Sequence, residues 1–228
     1  MSNLNIDAAF RSSTPNECYM FVGENYVVLN YAPCSGDIKK NIINGPIKTV
    51  VGFPMFAGKT FEGKIDCAFD TEDTDVFIFS GNECAKIQYV PHSAEATLLI
   101  APIPISQMFP CIYSLFFANG IDAAIKSTGN EVFLFKGGWY ARINYRTKQL
   151  MSENYIGKGF SSLYGTVFES GIEAAFASHV QNEAYIFKKE YYARINFAPG
   201  TADGDFIVGG KIRKISTDWP ALKNILHF

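Results

Sequence analysis

The sequence predicts an all-β protein, a single four-bladed β-propeller that spans residues 1–228. A short motif, Ile6-Asp7-Ala8-Ala9-Phe10, returns in altered form at residues 65–69, 121–125 and 172–176, at spacings of 59, 56 and 51 residues. Two aromatic runs follow each copy at an almost constant distance, and an aromatic-proline pair closes three of the four copies. Repeats of this length are typical of propellers and solenoids.

Each repeat predicts an inner strand followed by a hairpin. The motif itself is the inner strand, and the two aromatic runs are the hairpin, because runs of Phe, Tyr, Val and Ile joined by a few residues indicate paired strands. The runs are residues 18–23 and 26–31, 76–81 and 84–89, 132–137 and 140–145, and 184–187 and 192–197. The constant spacing indicates that all four repeats share one register.

The repeat ends predict turns or sheet edges, where proline is tolerated. They are Gly52-Phe53-Pro54, Met108-Phe109-Pro110 and Asp218-Trp219-Pro220, with Leu163-Tyr164-Gly165 as a degenerate version. A Phe before each later motif is predicted to pack between repeats. Four small sheets bury their faces when they are arranged radially, which predicts blades at about 1–59, 60–115, 116–167 and 168–228. A β-sandwich is the alternative fold, but it does not explain a fourfold motif.

Composition narrows the functional classes. A net charge of −2 gives no general attraction to nucleic acid or to an anionic membrane, so neither is expected as a partner. The N-terminal residues lack the features of a signal peptide, which favours a cytosolic location.

The uncharged stretch 96–121 contains three prolines and is interpreted as a loop that leads into a strand. Five cysteines without a Cys-x-x-Cys pair favour free buried thiols, and no catalytic motif is present, so we expect no enzyme.

The four Ile-Asp/Glu-x-Ala starts, the aromatic hairpins and the Phe/Trp-Pro ends resemble haemopexin-type repeats. The whole chain further resembles the legume seed albumins of the albumin-2 type, for example at residues 140–145 (Tyr-Ala-Arg-Ile-Asn-Tyr) and 192–197 (Tyr-Ala-Arg-Ile-Asn-Phe). The resemblance covers residues 6–219. It implies a haemopexin-like propeller and a storage protein of the cotyledon cytosol, able to form a homodimer.

The resemblance also implies a cation site in the central channel. In haemopexin-type propellers the acidic position of each inner strand presents its backbone carbonyl to the channel; here these residues are Asp7, Asp66, Asp122 and Glu173. An innermost strand has an unpaired edge, and a ring of carbonyl oxygens suits a hard cation such as calcium. One pleat deeper, backbone groups of Ala9, Ala68, Ala124 and Ala175 are candidates for a second ion or water, with sodium or chloride in the same channel. A channel that holds only water is the alternative.

The same resemblance implies small ligands, spermine and haem. The acidic loops Glu72-Asp73-Thr74-Asp75 and Asp203-Gly204-Asp205 are candidates for a polyamine, but the favoured interpretation is two solvated turns, since acidic loop residues usually serve only solubility. His92, His179 and His227 are the candidate axial ligands of haem. An alternative function is a carbohydrate-binding lectin or haemagglutinin, in which Trp139, Tyr191 and Tyr192 stack on sugar rings.

Overall fold

The computed structural model describes residues 5–31, 41–72, 74–114, 116–198 and 204–226. Seventeen strands in this part of the chain form four antiparallel sheets. The strands are β1 (Ala8–Arg11), β2 (Glu17–Val22), β3 (Asn25–Asn30), β4 (Asn41–Lys48), β5 (Cys67–Asp70), β6 (Asp75–Ser80), β7 (Glu83–Tyr89), β8 (Ala96–Pro104), β9 (Ala123–Lys126), β10 (Glu131–Lys136), β11 (Trp139–Asn144), β12 (Gln149–Tyr155), β13 (Ala174–Ala177), β14 (Glu183–Lys188), β15 (Tyr191–Asn196), β16 (Phe206–Ile207) and β17 (Arg213–Lys214).

Each sheet is one blade built from consecutive strands. The orders are β1-β2-β3-β4, β5-β6-β7-β8, β9-β10-β11-β12 and β13-β14-β15-β16, with β17 paired to β15 in the fourth blade. The first strand of every blade pairs on one side only, and these four inner strands contact one another in a ring. The predicted four-bladed propeller is therefore confirmed, and the inner strands surround a central channel.

The core consists of four apolar clusters, one between each pair of neighbouring blades. The cluster between blades one and two joins Phe10 and Phe21 to Ala68 and Ile78, and the cluster between blades four and one joins Phe176 to residues of β2 and β3. Successive strand residues point to opposite faces, so each blade contributes one face to each neighbour. This packing closes the ring between the fourth and first blades without a shared strand.

The alanines of the repeated motif lie inside these clusters. Ala9, Ala68, Ala124 and Ala175 are each 1% exposed, and each belongs to a cluster between blades. The phenylalanines that precede the later motifs, Phe61, Phe117 and Phe168, are fully buried in the same clusters, as predicted. Small side chains at the alanine positions therefore leave room for aromatic rings of the neighbouring blade.

Short helical turns lie between the blades, within blade four and after its last strand. They are α1 (Thr49–Gly52), α2 (Thr60–Gly63), α3 (Ile105–Met108), α4 (Ile156–Gly159), α5 (Ile215–Asp218) and α6 (Lys223–Leu226), with 3-10 turns at Pro54–Phe56, Pro110–Ile112, Phe116–Asn119, Ser161–Leu163, Val167–Ser170, Val208–Gly210 and Pro220–Leu222. The buried Phe53, Phe109 and Trp219 each lie between a one-turn α-helix and a 3-10 turn that begins with proline.

Two details of the sequence interpretation are wrong. The third repeat ends at Phe160, between α4 and the 3-10 turn, and not at residues 163–165, because Ser161 takes the place of the proline that marks the other ends. The stretch 96–121 is not a loop leading into a strand, since β8 occupies its first nine residues. β8 is the outer edge of its sheet, where Pro102 and Pro104 are compatible with pairing.

Cysteines follow the prediction of free thiols. Cys67 and Cys84 are buried free thiols, Cys111 is a half-buried free thiol, and Cys18 is buried. Cys34 lies outside the described residues. Burial raises the pKa of the Cys67 and Cys84 thiols well above the usual value, so these side chains stay protonated and act as small apolar groups.

Candidate functional site

One end of the central channel is lined by the four acidic residues of the repeated motif, and we call it the acidic mouth. Asp7, Asp66, Asp122 and Glu173 each come directly before an inner strand, so the ring of blades brings them together. With Lys64 they line an open cavity of about 350 Å³. The four residues selected from the sequence therefore share one site.

The carboxylates at the acidic mouth are hydrogen-bonded to the hairpin turns of their own blades. The backbone N–H of Gly23 donates to Asp7 Oδ2 at 2.6 Å, and the N–H groups of Gly81 and Gly137 make the matching bonds in blades two and three, both at 2.7 Å. Each acidic residue also donates its own N–H to the middle strand, as Asp7 does to the Phe21 carbonyl at 2.9 Å. The repeated acid thus fixes the inner strand to the hairpin.

The fourth blade makes the same bond with different residues. Glu173 Oε2 accepts the backbone N–H of Lys189 at 2.8 Å. Lys189 has φ 51°, close to the 50° of Gly137 at the equivalent turn position, although a side chain disfavours this left-handed conformation. The longer acid therefore keeps the hydrogen bond that the other three blades make with aspartate.

Lys64 is a cation at the acidic mouth that the sequence analysis did not identify. Its Nζ lies 3.1 Å from Asp7 Oδ1 and 3.0 Å from Asp66 Oδ1, so it bridges blades one and two. Burial lowers the pKa of this lysine, but the hydrogen bonds and charges of the two aspartates outweigh burial and raise the pKa above the usual value. A signal was present, because glycine precedes the Ile-Asp/Glu pair in the third and fourth repeats and lysine precedes it in the second.

A hard cation fits this channel through backbone oxygens rather than through a carboxylate cage. Within the described residues, no three His, Cys, Asp or Glu side chains are grouped as metal ligands. The carboxylates already accept turn amides, whereas the inner strands present an edge that has no strand partner. Edge carbonyls without a ladder partner require water or a cation, and calcium accepts such oxygen ligands.

The opposite end of the channel, which we call the far mouth, carries basic side chains. Arg11 Nε donates to Asp70 Oδ2 at 3.0 Å, and Arg11 Nη1 donates to the Ser178 carbonyl at 3.0 Å. Lys126 Nζ donates to the Thr71 carbonyl at 2.9 Å, and burial lowers the pKa of this lysine. The far mouth therefore combines basic side chains with the carboxylate of Asp70.

Comparison with known proteins gives the family. Albumin-2 of Pisum sativum is 44% identical over 225 residues, which cover 97% of this chain and 96% of the pea protein. The chain belongs to the albumin-2 family. A seed albumin of Lathyrus sativus, LS24, superimposes on this albumin-2 chain with a TM-score of 0.93 at 41% identity and covers all of both chains. No family model matches the sequence.

Two Cicer arietinum proteins have crystal structures similar to this albumin-2 chain. One is a plant albumin described as showing hemagglutination, with 47% identity, a TM-score of 0.92, and coverage of 97% of this chain and 98% of its own. The other is a plant lectin with two metal binding sites, with 46% identity, a TM-score of 0.93, and coverage of 98% and 99%. None of the described helices in the albumin-2 chain is long and apolar enough to span a membrane.

The two described histidines of this albumin-2 chain are engaged within the fold. His179 Nε2 lies 3.0 Å from the Ser12 carbonyl, which can only accept, so Nδ1 is left to accept the Tyr31 hydroxyl at 2.5 Å. Burial lowers the pKa of His179. His92 Nε2 lies 2.9 Å from Glu17 Oε2. His227 lies outside the described residues.

The acidic loops are likewise paired with neighbouring groups. Glu72 lies 3.2 Å from Arg146, and Asp75 lies 2.5 Å from Lys86. Asp205 accepts the backbone N–H groups of residues 161 and 162 at 2.9 and 3.1 Å. Asp73 and Asp203 lie outside the described residues. Each described acid of these loops therefore already has a partner within the protein, with which a polyamine has to compete.

The aromatic residues proposed for sugar stacking differ in exposure. Tyr192 is 6% exposed and donates its hydroxyl to Asp218 Oδ2 at 2.6 Å, so its assignment to an exposed sugar platform is wrong: the ring packs against Trp219. Trp139 is half-buried, and its ring centroid lies 3.9 Å from that of Tyr155, which is 55% exposed. The ring centroid of Phe116, which is 40% exposed, lies 6.3 Å from that of Trp139. Trp139, Tyr155 and Phe116 form an aromatic surface in blade three.

Proposed function

We propose that this chain is a seed storage albumin whose channel binds calcium through backbone carbonyls near Asp7, Asp66, Asp122 and Glu173. The observation that carries the proposal is the ring of four inner strands, each with an unpaired edge toward the axis. The carboxylates beside that edge already accept turn amides, so they contribute negative potential while the carbonyls supply ligands. The similar lectin from Cicer arietinum has two metal binding sites, which supports metal binding by this chain.

Calorimetric titration of chelator-treated protein with calcium chloride tests this proposal. Asp122→Asn is the informative variant, because Asp122 is not one of the two acids that Lys64 contacts and the amide oxygen can still accept the Gly137 N–H. Removal of one nearby charge weakens calcium binding by no more than about tenfold, which is the Coulomb energy between a divalent ion and a unit charge ~7 Å away in an open, solvated mouth with an effective dielectric constant of about 65. Complete loss of binding in a folded Asp122→Asn protein shows that side chains are the ligands.

A second candidate function is carbohydrate binding with haemagglutination. The plant albumin from Cicer arietinum that shows hemagglutination favours it, and the aromatic surface of Trp139, Tyr155 and Phe116 is the part of this chain that suits a sugar ring. Agglutination also requires two sites in one particle, which a homodimer supplies. A glycan array tests the idea. Trp139→Ala is the site variant, and Tyr164→Ala, at an exposed tyrosine outside the aromatic surface, is the control. Absence of sugar binding by the unaltered protein removes the lectin function.

Haem and spermine are proposed as further ligands of this albumin, and the cytosol as its location. Because both ring nitrogens of His179 have partners, we expect haem to bind without replacing them. A haem titration that follows the Soret band should give the same spectrum for unaltered protein and for His179→Ala. Titration with spermine, compared with Glu72→Gln, tests the acidic loop before the second hairpin, and loss of binding in that variant assigns the polyamine to it.

A further inference from the structure

Lys64 stands where two other repeats have glycine. The inner strands are preceded by Lys64-Ile65-Asp66 in blade two, by Gly120-Ile121-Asp122 in blade three and by Gly171-Ile172-Glu173 in blade four. The glycines have φ 136° and 139°, a region that side chains disfavour, whereas Lys64 has the extended φ of −165°. The backbone of blade two therefore differs locally, and the difference admits a long cationic side chain at the acidic mouth.

The ammonium of Lys64 lies at the outer end of the acidic mouth. Its side chain is 51% exposed, while the carboxylates of Asp66 and Asp7 beneath it are 30% and 8% exposed. The opposite Oδ2 atoms of these two acids accept turn amides, so each acid is shared between its hairpin and the lysine. A free cation that approaches blades one and two meets a positive charge that is already bound there.

We propose that Lys64 is a tethered counter-ion that sets the affinity of the acidic mouth for divalent cations. The proposal rests on the calcium function proposed above and identifies the residue that regulates it. Lys64 neutralises part of the negative potential of Asp7 and Asp66 and repels a second cation nearby. Calcium then binds either after this lysine moves away or beside the lysine with reduced affinity.

Calorimetric titration with calcium chloride tests the proposal on the full-length protein. Lys64→Gln removes the charge, Lys64→Arg retains it, and Lys211→Gln is a matched control at an exposed lysine in blade four. Lys64→Gln should tighten calcium binding about tenfold, the effect of one unit charge on a divalent ion ~7 Å away at an effective dielectric constant of about 65 in the solvated mouth. Lys64→Arg and Lys211→Gln should bind calcium within about twofold of the unaltered protein.

Thermal unfolding separates this role from a purely structural one. Without calcium, Lys64→Gln should melt below the unaltered protein, because Asp7 and Asp66 lose their partner, and saturating calcium should raise its Tm more than that of the unaltered protein. Equal calcium affinity in the two proteins overturns the role of Lys64 and leaves the calcium site in place. Absence of calcium binding in every variant overturns the calcium site and this inference together.

Discussion

In blades three and four, a carboxylate at the acidic mouth accepts a backbone N–H of the hairpin turn, but the two blades use different residues for this bond. Blade three uses the short acid Asp122 and the flexible Gly137, whereas blade four uses Glu173 and Lys189 with almost the same turn φ. The retained feature is a carboxylate that accepts a turn amide. The repeated acid in the sequence is therefore explained first by folding, and only secondarily by the charge that it gives to the channel.

The same two blades also differ at the end of the repeat. In blade three the Tyr140 ring lies where a side chain at Gly159 would be, since a Cβ there would lie 2.1 Å from Tyr140 Cε1. In blade four the corresponding tyrosine, Tyr192, donates its hydroxyl to Asp218 at 2.6 Å. Blade three thus accommodates Tyr140 by having glycine at position 159, whereas blade four holds Tyr192 through a hydrogen bond. A change at one residue of the pair Tyr140–Gly159, or of the pair Tyr192–Asp218, therefore requires a change at the other.

Gly159→Ala should have the largest effect, because it introduces a clash that blade four avoids. We expect a loss of about 3 kcal/mol in the free energy of unfolding, the upper range for overpacking a core. Urea unfolding followed by fluorescence measures it. Gly63→Ala is the control, because a Cβ at Gly63 meets no atom within 4 Å. Adding Tyr140→Cys, which reproduces the small Cys84 of blade two, should recover part of the loss. Equal stability of Gly159→Ala and the control would contradict the packing argument.

Tyr192→Phe should be the next most damaging change. It removes the Tyr192 hydroxyl from the buried Asp218 carboxylate, which Arg213 also contacts at 3.2 Å. Loss of one hydrogen bond to a buried charged group costs about 2 kcal/mol. Tyr140→Phe is the matched variant in blade three, where the hydroxyl is hydrogen-bonded to the neutral Ser152 side chain, and it should cost about 1 kcal/mol or less. If the two tyrosines prove equally sensitive in urea unfolding, the difference between the blades has no energetic meaning.

The sequence predicts the architecture well because every blade repeats the same signal. Inner strands and hairpins follow from the motif at Asp7, Asp66, Asp122 and Glu173 and from the aromatic runs, since strand pairing and packing between blades require these patterns locally. The outer strands are less predictable. β8 contains prolines and lacks an alternating pattern, and an edge strand tolerates both.

The candidate site is predictable in its position but not in its electrostatics. The acidic residues come together because they hold equivalent places in four blades. Which atoms of a carboxylate face a turn amide depends on backbone geometry that spacing does not specify, as the bonds to Gly23 and Gly81 illustrate. The bridge made by Lys64 joins two blades, and long flexible side chains of this kind are placed by tertiary contacts.

Asp122→Ala tests the bond that blades three and four share, and its effect should be smaller. The Gly137 N–H then loses its carboxylate acceptor at a partly exposed site, which costs about 1 kcal/mol, similar to the loss of a helix cap. Asp122→Asn should lose less than half of that amount, because the amide oxygen can still accept. Both are measured by urea unfolding in the presence of a chelator. If Asp122→Asn loses as much unfolding free energy as Asp122→Ala, the charge of Asp122, and not its hydrogen bond, stabilises the turn.

Lys189→Gly should have the smallest effect, and it should be stabilising. The left-handed conformation at φ 51° costs a residue with a side chain about 1–2 kcal/mol, while glycine adds about 0.4–1 kcal/mol of chain entropy to the unfolded state. The balance favours the variant by about 0.5 kcal/mol, and the N–H that donates to Glu173 is retained. The reverse exchange, Gly137→Lys, should destabilise blade three by a similar amount. If both exchanges destabilise the protein in urea unfolding, the lysine side chain itself stabilises blade four, and the turns are not equivalent.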